Sequence, residues 1–295
     1  MKTLILASFI FLFGFTIKAQ TTNKIENDIL FGKGCYYIES LPEKNNYAGV
    51  LFLIPGFLES PVAVMAQSTI VQTANKNNIA VVMVNLTLNN EDFPIDKKCI
   101  NLLNKMIGDF YQKRKIQETT DLYIGGFSIG GTAALRFYTN KNKEIKINKV
   151  FAIDPPLDMV RLRKSLLKGR ESSFVSKIDV LNTSNKPQQE SLVELSVYNP
   201  DFTDVKALPS YSSTPLRIYC EPDILWWMEN RNMDLSDMNV TDCAGYINKL
   251  RQNASDNKVE LILTKDRGIR NNTQKHPHSW SIAEAADLIK WLLEK

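Results

Sequence analysis

Residues 121–138 read DLYIGGFSIGGTAALRFY, and this stretch decides the fold. Asp121 to Gly125 is an apolar run of strand character, and Thr132 to Tyr138 has helical composition. Between them lies Gly126-Phe127-Ser128-Ile129-Gly130, a G-x-S-x-G turn. A serine at such a strand–turn–helix junction sits on a sharp, strained bend that lifts its hydroxyl above the end of the strand. The glycines two before and two after it remove Cβ atoms that would collide as strand and helix converge. Ser128 is therefore the candidate nucleophile.

Working outward, the chain repeats strand, turn and helix. Strands are expected at Cys35 to Glu39, Gly49 to Ile54, Ile79 to Val84, Val150 to Ile153, Leu216 to Cys220 and Val259 to Leu263. The first is short and aromatic and reads as an antiparallel edge. The others are continuous apolar runs, which suit parallel strands buried on both faces. Helices are expected at Ala63 to Lys76, Lys97 to Arg114, Thr132 to Tyr138 and Thr241 to Gln252. A last helix runs to the end of the chain, with Ser281 as N-cap and Glu284 completing a capping box. This alternation is the pattern of an α/β protein: a mostly parallel central sheet with helices on both faces. Residues 156–212 break the alternation. Leu162 to Leu167 looks helical, while Gly169, Pro187, Pro200 and Pro209 interrupt the rest, so a cap or lid insertion is expected there.

Lys2, the apolar run Leu4 to Phe15 and the small residue Ala19 have the layout of a secretory signal peptide over residues 1–19. The run is shorter than the ~20 apolar residues of a membrane span. Residues 20–295 are then one exported domain, secreted or periplasmic, with no stable membrane insertion once the signal is removed. Without residues 1–19 the chain carries 34 basic and 32 acidic side chains. That balance is too weak to imply a nucleic-acid partner. Cys35, Cys99, Cys220 and Cys243 are widely spaced and form no CxxC pair, so a zinc site is not indicated. They read as free core cysteines, with no bridge assigned.

A serine hydroxyl needs an adjacent base, and the base needs an orienting acid. The chain has two histidines, His276 and His278, both between the last strand and the last helix. His278 is the expected base, with Trp280 packed beside it, and His276 is a loop residue or substrate contact. The expected acid is Asp223, in the loop after Leu216 to Cys220. Glu221 and Asp154, the latter at the end of Val150 to Ile153, are the alternatives. An oxyanion hole needs two backbone N–H groups. Ile129, directly after the serine, and Phe57, in the turn Pro55-Gly56-Phe57-Leu58, are the expected donors. Phe127, Trp226 and Trp227 are candidate substrate contacts.

On these residues the chain resembles the α/β-hydrolase superfamily over nearly all of its length after residue 19. The segment Gly125 to Gly131 is similar to the G-x-S-M-G-G elbow common there, and His278-Ser279-Trp280 looks like the His-x-Trp of esterase-D-like and mycolyltransferase-like branches. The resemblance implies a serine esterase, thioesterase or acyl transferase that uses no cofactor and acts on a small ester or acyl substrate through an acyl-enzyme. Many relatives have His-Gly where this chain has Pro55-Gly56, so the glycine's role carries over and that histidine's does not. A serine peptidase on the same triad, and a non-catalytic binding protein on the same fold, are the competing expectations.

Overall fold

In a computed structural model the described residues are 21–24, 34–87, 92–140, 144–169, 174–181, 186–204, 208–209, 211, 213–253, 258–271 and 273–295. The segment read as a signal peptide lies outside them. Eight strands form one sheet: β1 (Thr21–Lys24), β2 (Tyr36–Ser40), β3 (Gly49–Ile54), β4 (Ile79–Asn85), β5 (Leu122–Phe127), β6 (Lys149–Ile153), β7 (Leu216–Cys220) and β8 (Val259–Leu263). Their order is β1-β2-β4-β3-β5-β6-β7-β8. β1 and β2 pair antiparallel, β2 pairs antiparallel with β4, and every pairing from β4 to β8 is parallel.

Every residue of β3 to β7 is buried, as their largely apolar runs predict, and Asn85, Lys149 and Arg217 are buried with them. Alternate side chains feed two separate cores. Val50, Phe52 and Ile54 of β3 point to one face, Leu51 and Leu53 to the other. The first face is covered by α3 (Lys97–Arg114), α4 (Ile129–Asn140), α5 (Met159–Lys168) and α9 (Asn239–Asn253). The second is covered by α1 (Pro61–Gln67), α2 (Ile70–Lys76) and α10 (Ala285–Leu293).

Two expected helices differ. The stretch Ala63 to Lys76 is two helices, α1 and α2, because Ser68 is extended. The last helix is capped by Glu284, whose carboxylate accepts the N–H groups of Ala286 and Asp287. Ser281 instead spends its hydroxyl on the neighbouring strand segment, accepting from Ile269 N–H and donating to Arg267 O. Within residues 156–212 the described parts form α5, α6 (Val175–Asp179) and α7 (Gln188–Leu195). The stretch after β7, to which the sequence reading assigns no element, is α8 (Ile224–Arg231). All four cysteines are buried and free.

The junction of β5 and α4 is very tight. A Cβ on Gly130 would lie 2.2 Å from Ile54 O and 2.3 Å from Pro55 O, and one on Gly126 would lie 2.4 Å from Gly130 O. These obstacles are backbone and cannot rotate away. Gly130→Ala should therefore lower the free energy of unfolding by about 1–3 kcal/mol, read as a lower urea midpoint at unchanged slope. Activity should fall with it, because the displaced atoms carry the turn at Pro55.

Candidate active site

β5 and β6 are parallel neighbours in which Phe127 pairs with Ile153. The next residue on each strand, Ser128 and Asp154, turns into the left-handed region, with φ of 53° and 44°. For a residue bearing a Cβ this region costs roughly 1–2 kcal/mol. It is held here by backbone hydrogen bonds, from Ser128 N–H to Ile153 O at 2.8 Å and from Asp154 N–H to Tyr219 O at 2.7 Å. The result is that both side chains rise from adjacent strand ends at the same level.

His278 arrives between them from the loop before α10. Its Nε2 lies 2.9 Å from Ser128 Oγ and its Nδ1 lies 2.5 Å from Asp154 Oδ2. With Nδ1–H donating to the carboxylate, Nε2 is free to accept the serine proton. The imidazole packs on Phe127, with ring centroids 4.6 Å apart, and Phe127 packs in turn on the buried Trp280 at 5.4 Å. The His278 carbonyl accepts from the Arg270 guanidinium at 2.6 and 3.0 Å, which fixes the loop from behind.

The acid expected from sequence, Asp223, is elsewhere. It is the N-cap of α8, accepting from Trp226 N–H, and its carboxylate pairs with Lys275 at 2.6 Å. The ammonium of Lys275 and that N–H hold its carboxyl below the usual range. Glu221 is also engaged. Its buried carboxylate accepts from Arg267 N–H, Gly268 N–H and the Thr264 hydroxyl, which braces the loop after β8. Asp154, the remaining alternative, is the one that meets His278.

Phe57 and Ile129 both line the same cavity as Ser128. Ile129 is the first residue of α4, where an N–H has no intrahelical acceptor. No hydrogen-bond acceptor for either N–H is found among the described residues. The cavity, of about 400 Å³, is walled by Phe57, Phe93, Ile129, Leu162, Phe174 and Met238. Phe57 stacks against Phe93 at 4.8 Å and meets Phe174 edge-on at 5.1 Å. Leu162 and Leu166 come from α5, so residues after Pro155 supply part of the wall. Trp227 also lines the cavity, with its ring 6.3 Å from that of His278. Trp226 is not among the lining residues and lies on His276 at 4.6 Å. Phe127 touches the cavity but serves mainly as the backing of His278.

Four site residues were not legible in the sequence. Asn239 donates to Asp154 O at 2.9 Å and accepts from Arg161. Arg161 is clasped by both oxygens of Asp242, which also accepts from Leu157 and Asp158 N–H. This network ties α5 and α9 to the backbone of Asp154. The fourth is Glu59, which contacts both the Phe57 turn and Trp280. No local pattern marks these residues, because their partners lie up to 221 positions away.

His276 is buried, and desolvation, with the charges of Arg270, His278 and Arg231 adding to it, pushes its pKa down to about 3. The ordinary value of a solvated imidazole, which the unfolded chain approaches, is 6.5. Between these values the unfolded state binds the extra proton, so this group's stabilisation is complete above about pH 6.5 and is lost as pH falls towards 3. Screening at the cavity wall limits the effect to about 1–2 kcal/mol at pH 4.5. Urea midpoints at pH 7.5 and 4.5 should therefore differ less in His276→Gln than in the wild type.

No family model matches the chain, and no curated protein matches it. Solved structures do. The fluorophosphonate-binding serine hydrolase FphF of Staphylococcus aureus superposes with a TM-score of 0.63 at 15% identity, covering 94% of this chain and 99% of that one. An esterase of Pyrobaculum calidifontis gives 0.62 at 15% identity, covering 93% and 84%. The S-formylglutathione hydrolase FrmB of S. aureus gives 0.56 at 14% identity, covering 94% and 99%. Sheet order, elbow and these likenesses together define the chain as having the α/β-hydrolase fold.

Proposed function

We propose that this protein is a serine hydrolase of carboxylic esters. The observation that carries the reading is the unbroken relay from Ser128 Oγ through His278 to Asp154, at the floor of an apolar cavity. Ser128 attacks the ester carbonyl while His278 Nε2 takes its proton. Asp154 holds the imidazole and stabilises the imidazolium. The N–H groups of Phe57 and Ile129 receive the oxyanion. His278 then returns the proton to the alkoxide leaving group, and the ester C–O bond breaks. Water, giving its proton to the same histidine, attacks the acyl-enzyme; the bond from the acyl carbon to Ser128 Oγ breaks, Oγ takes the proton back from His278, and the carboxylic acid is released.

The leaving group must depart on the side that delivers its proton, beside His278, Trp227 and His276. The acyl group then lies along Phe57, Phe93 and Phe174, which favours an apolar acyl chain. Leu162, Leu166 and Phe174, from the segment after Pro155, wall the cavity, which supports reading that segment as a cap. The neighbours, named as serine hydrolases and esterases, support the same class of chemistry. The layout of residues 1–19 supports export to the periplasm or medium.

Fluorophosphonate labelling tests the nucleophile, and a panel of p-nitrophenyl esters and peptide anilides tests the bond. The reading expects one label per chain at Ser128 and turnover of esters well above anilides. An unlabelled, inactive protein refutes it.

A further inference from the structure

The two halves of the site come from opposite ends of the chain, and one carboxylate joins them. Glu59 Oε2 accepts the N–H of Gly56 at 2.9 Å and the indole N–H of Trp280 at 3.0 Å. Its Oε1 accepts from Gln67 Nε2 at 2.9 Å. The Glu59 N–H donates to Gly56 O at 3.2 Å, which closes the turn around Leu58, a residue with φ of 63°. The turn is also pressed against the back of the elbow. A Cβ on Gly56 would lie 2.9 Å from Phe127 Cδ1 and 3.2 Å from Glu59 Oε2.

We propose that Glu59 is a positioning residue that sets the oxyanion N–H of Phe57 in register with His278. The bonded Gly56 amide is one residue from Phe57, and the bonded indole is two residues from His278. Both bonds have the ordinary N–H···O length and hold the two donors to one point. Because both end on a single oxygen, neither loop can shift without straining the other. An oxyanion donor contributes only when it is aimed where the charge develops, so sub-ångström placement is what such a clasp supplies. The proposal rests on the reading of Ser128, His278 and Phe57 given above.

The test compares Glu59→Ala, Glu59→Gln, Trp280→Phe and the Glu59→Ala/Trp280→Phe double variant on a p-nitrophenyl ester. Thermal melts serve as the check on folding. A trifluoromethyl ketone, whose serine adduct carries an oxyanion, serves as the transition-state probe. Glu59→Ala should lower kcat by about 10- to 100-fold with KM nearly constant, because the loss falls on the transition state. Ketone inhibition should weaken in proportion to kcat/KM. Glu59→Gln keeps an acceptor oxygen, the Gln67 amide turning to suit, and should recover most of the rate. The double variant should lose little beyond Glu59→Ala, since both changes break the same clasp.

A folded Glu59→Ala protein with kcat within about twofold of wild type overturns the proposal. So does a loss confined to KM, or a double variant whose losses multiply in full. If Glu59→Ala does not fold, Trp280→Phe decides: it keeps an aromatic ring on the Phe127 side and removes the N–H together with part of the buried indole, so its melt must show a folded protein before its kcat is read. An unchanged kcat in that variant overturns the proposal, and a reduced one with retained KM supports it. A wild-type protein that neither labels nor hydrolyses refutes the underlying reading, a different result from an active wild type with an unimpaired Glu59→Ala.

Discussion

Ser128→Ala is expected to abolish fluorophosphonate labelling and to lower kcat on a p-nitrophenyl ester by about 10⁵-fold or more, with folding retained. The size of the effect follows from the absence of any substitute. Ser128 Oγ is the hydroxyl 2.9 Å from His278 Nε2, and its half-buried position at the cavity depends on a backbone φ of 53° that the turn enforces. Removing the oxygen leaves the oxyanion amides and the apolar cavity in place, so substrate should still bind with near-normal affinity. Single-turnover kinetics would separate these quantities. A variant that retained a tenth of the wild-type rate, or that labelled elsewhere, would remove Ser128 from the chemistry.

Asp154→Asn should have the second-largest effect, a loss in kcat of about 10⁴-fold. An amide in place of the carboxylate can donate to His278 Nδ1, which turns the imidazole to the tautomer that cannot accept the Ser128 proton. It also withdraws the charge that stabilises the imidazolium. Asp223→Asn provides the contrast. Asp223 caps α8 and pairs with Lys275, so its change should remove at most about 1 kcal/mol of stability and leave kcat within a fewfold. The two variants measured side by side, by ester hydrolysis and by urea melts, distinguish the acids. The reverse ranking would assign the role to Asp223 and would require the α8 cap to open.

These acids also show where local reading stops. The elbow was legible because its requirements are short-range: a strand, two glycines two residues either side of a serine, and a helix, all within 18 residues. Gly126 and Gly130 are needed because backbone atoms of the elbow and of the Pro55 turn come within 2.7 Å of where their Cβ atoms would be. His278 was legible because the chain has only two histidines, and both fall in one loop. Choosing His278 over His276 rested on two residues of sequence. The structure supports that choice by burying His276 under Trp226.

Asp223 was favoured because it sits in the loop past the end of β7, far enough out for its side chain to reach an imidazole, yet its surroundings carried a different signal. An aspartate just before an apolar run, here Ile224 to Trp227, is a helix N-cap signature. Asp154 had no such competing use. What singles it out is that β6 lies next to β5 and takes the same left-handed step one residue past the register pair Phe127 and Ile153. Strand adjacency is a property of the sheet, not of any segment.

The sequence by itself determined the elements and the local turns. Hydrophobic period, turn glycines and strand length act within a few residues, so Ser128, His278, Phe57 and Ile129 could each be put forward as a candidate from its own neighbourhood. Only the tertiary structure decided which carboxylate meets His278 and which one joins the Gly56 turn to Trp280. Asp154 and Glu59 find partners 124 and 221 residues away, and such contacts depend on how strands are ordered and how closely their ends approach.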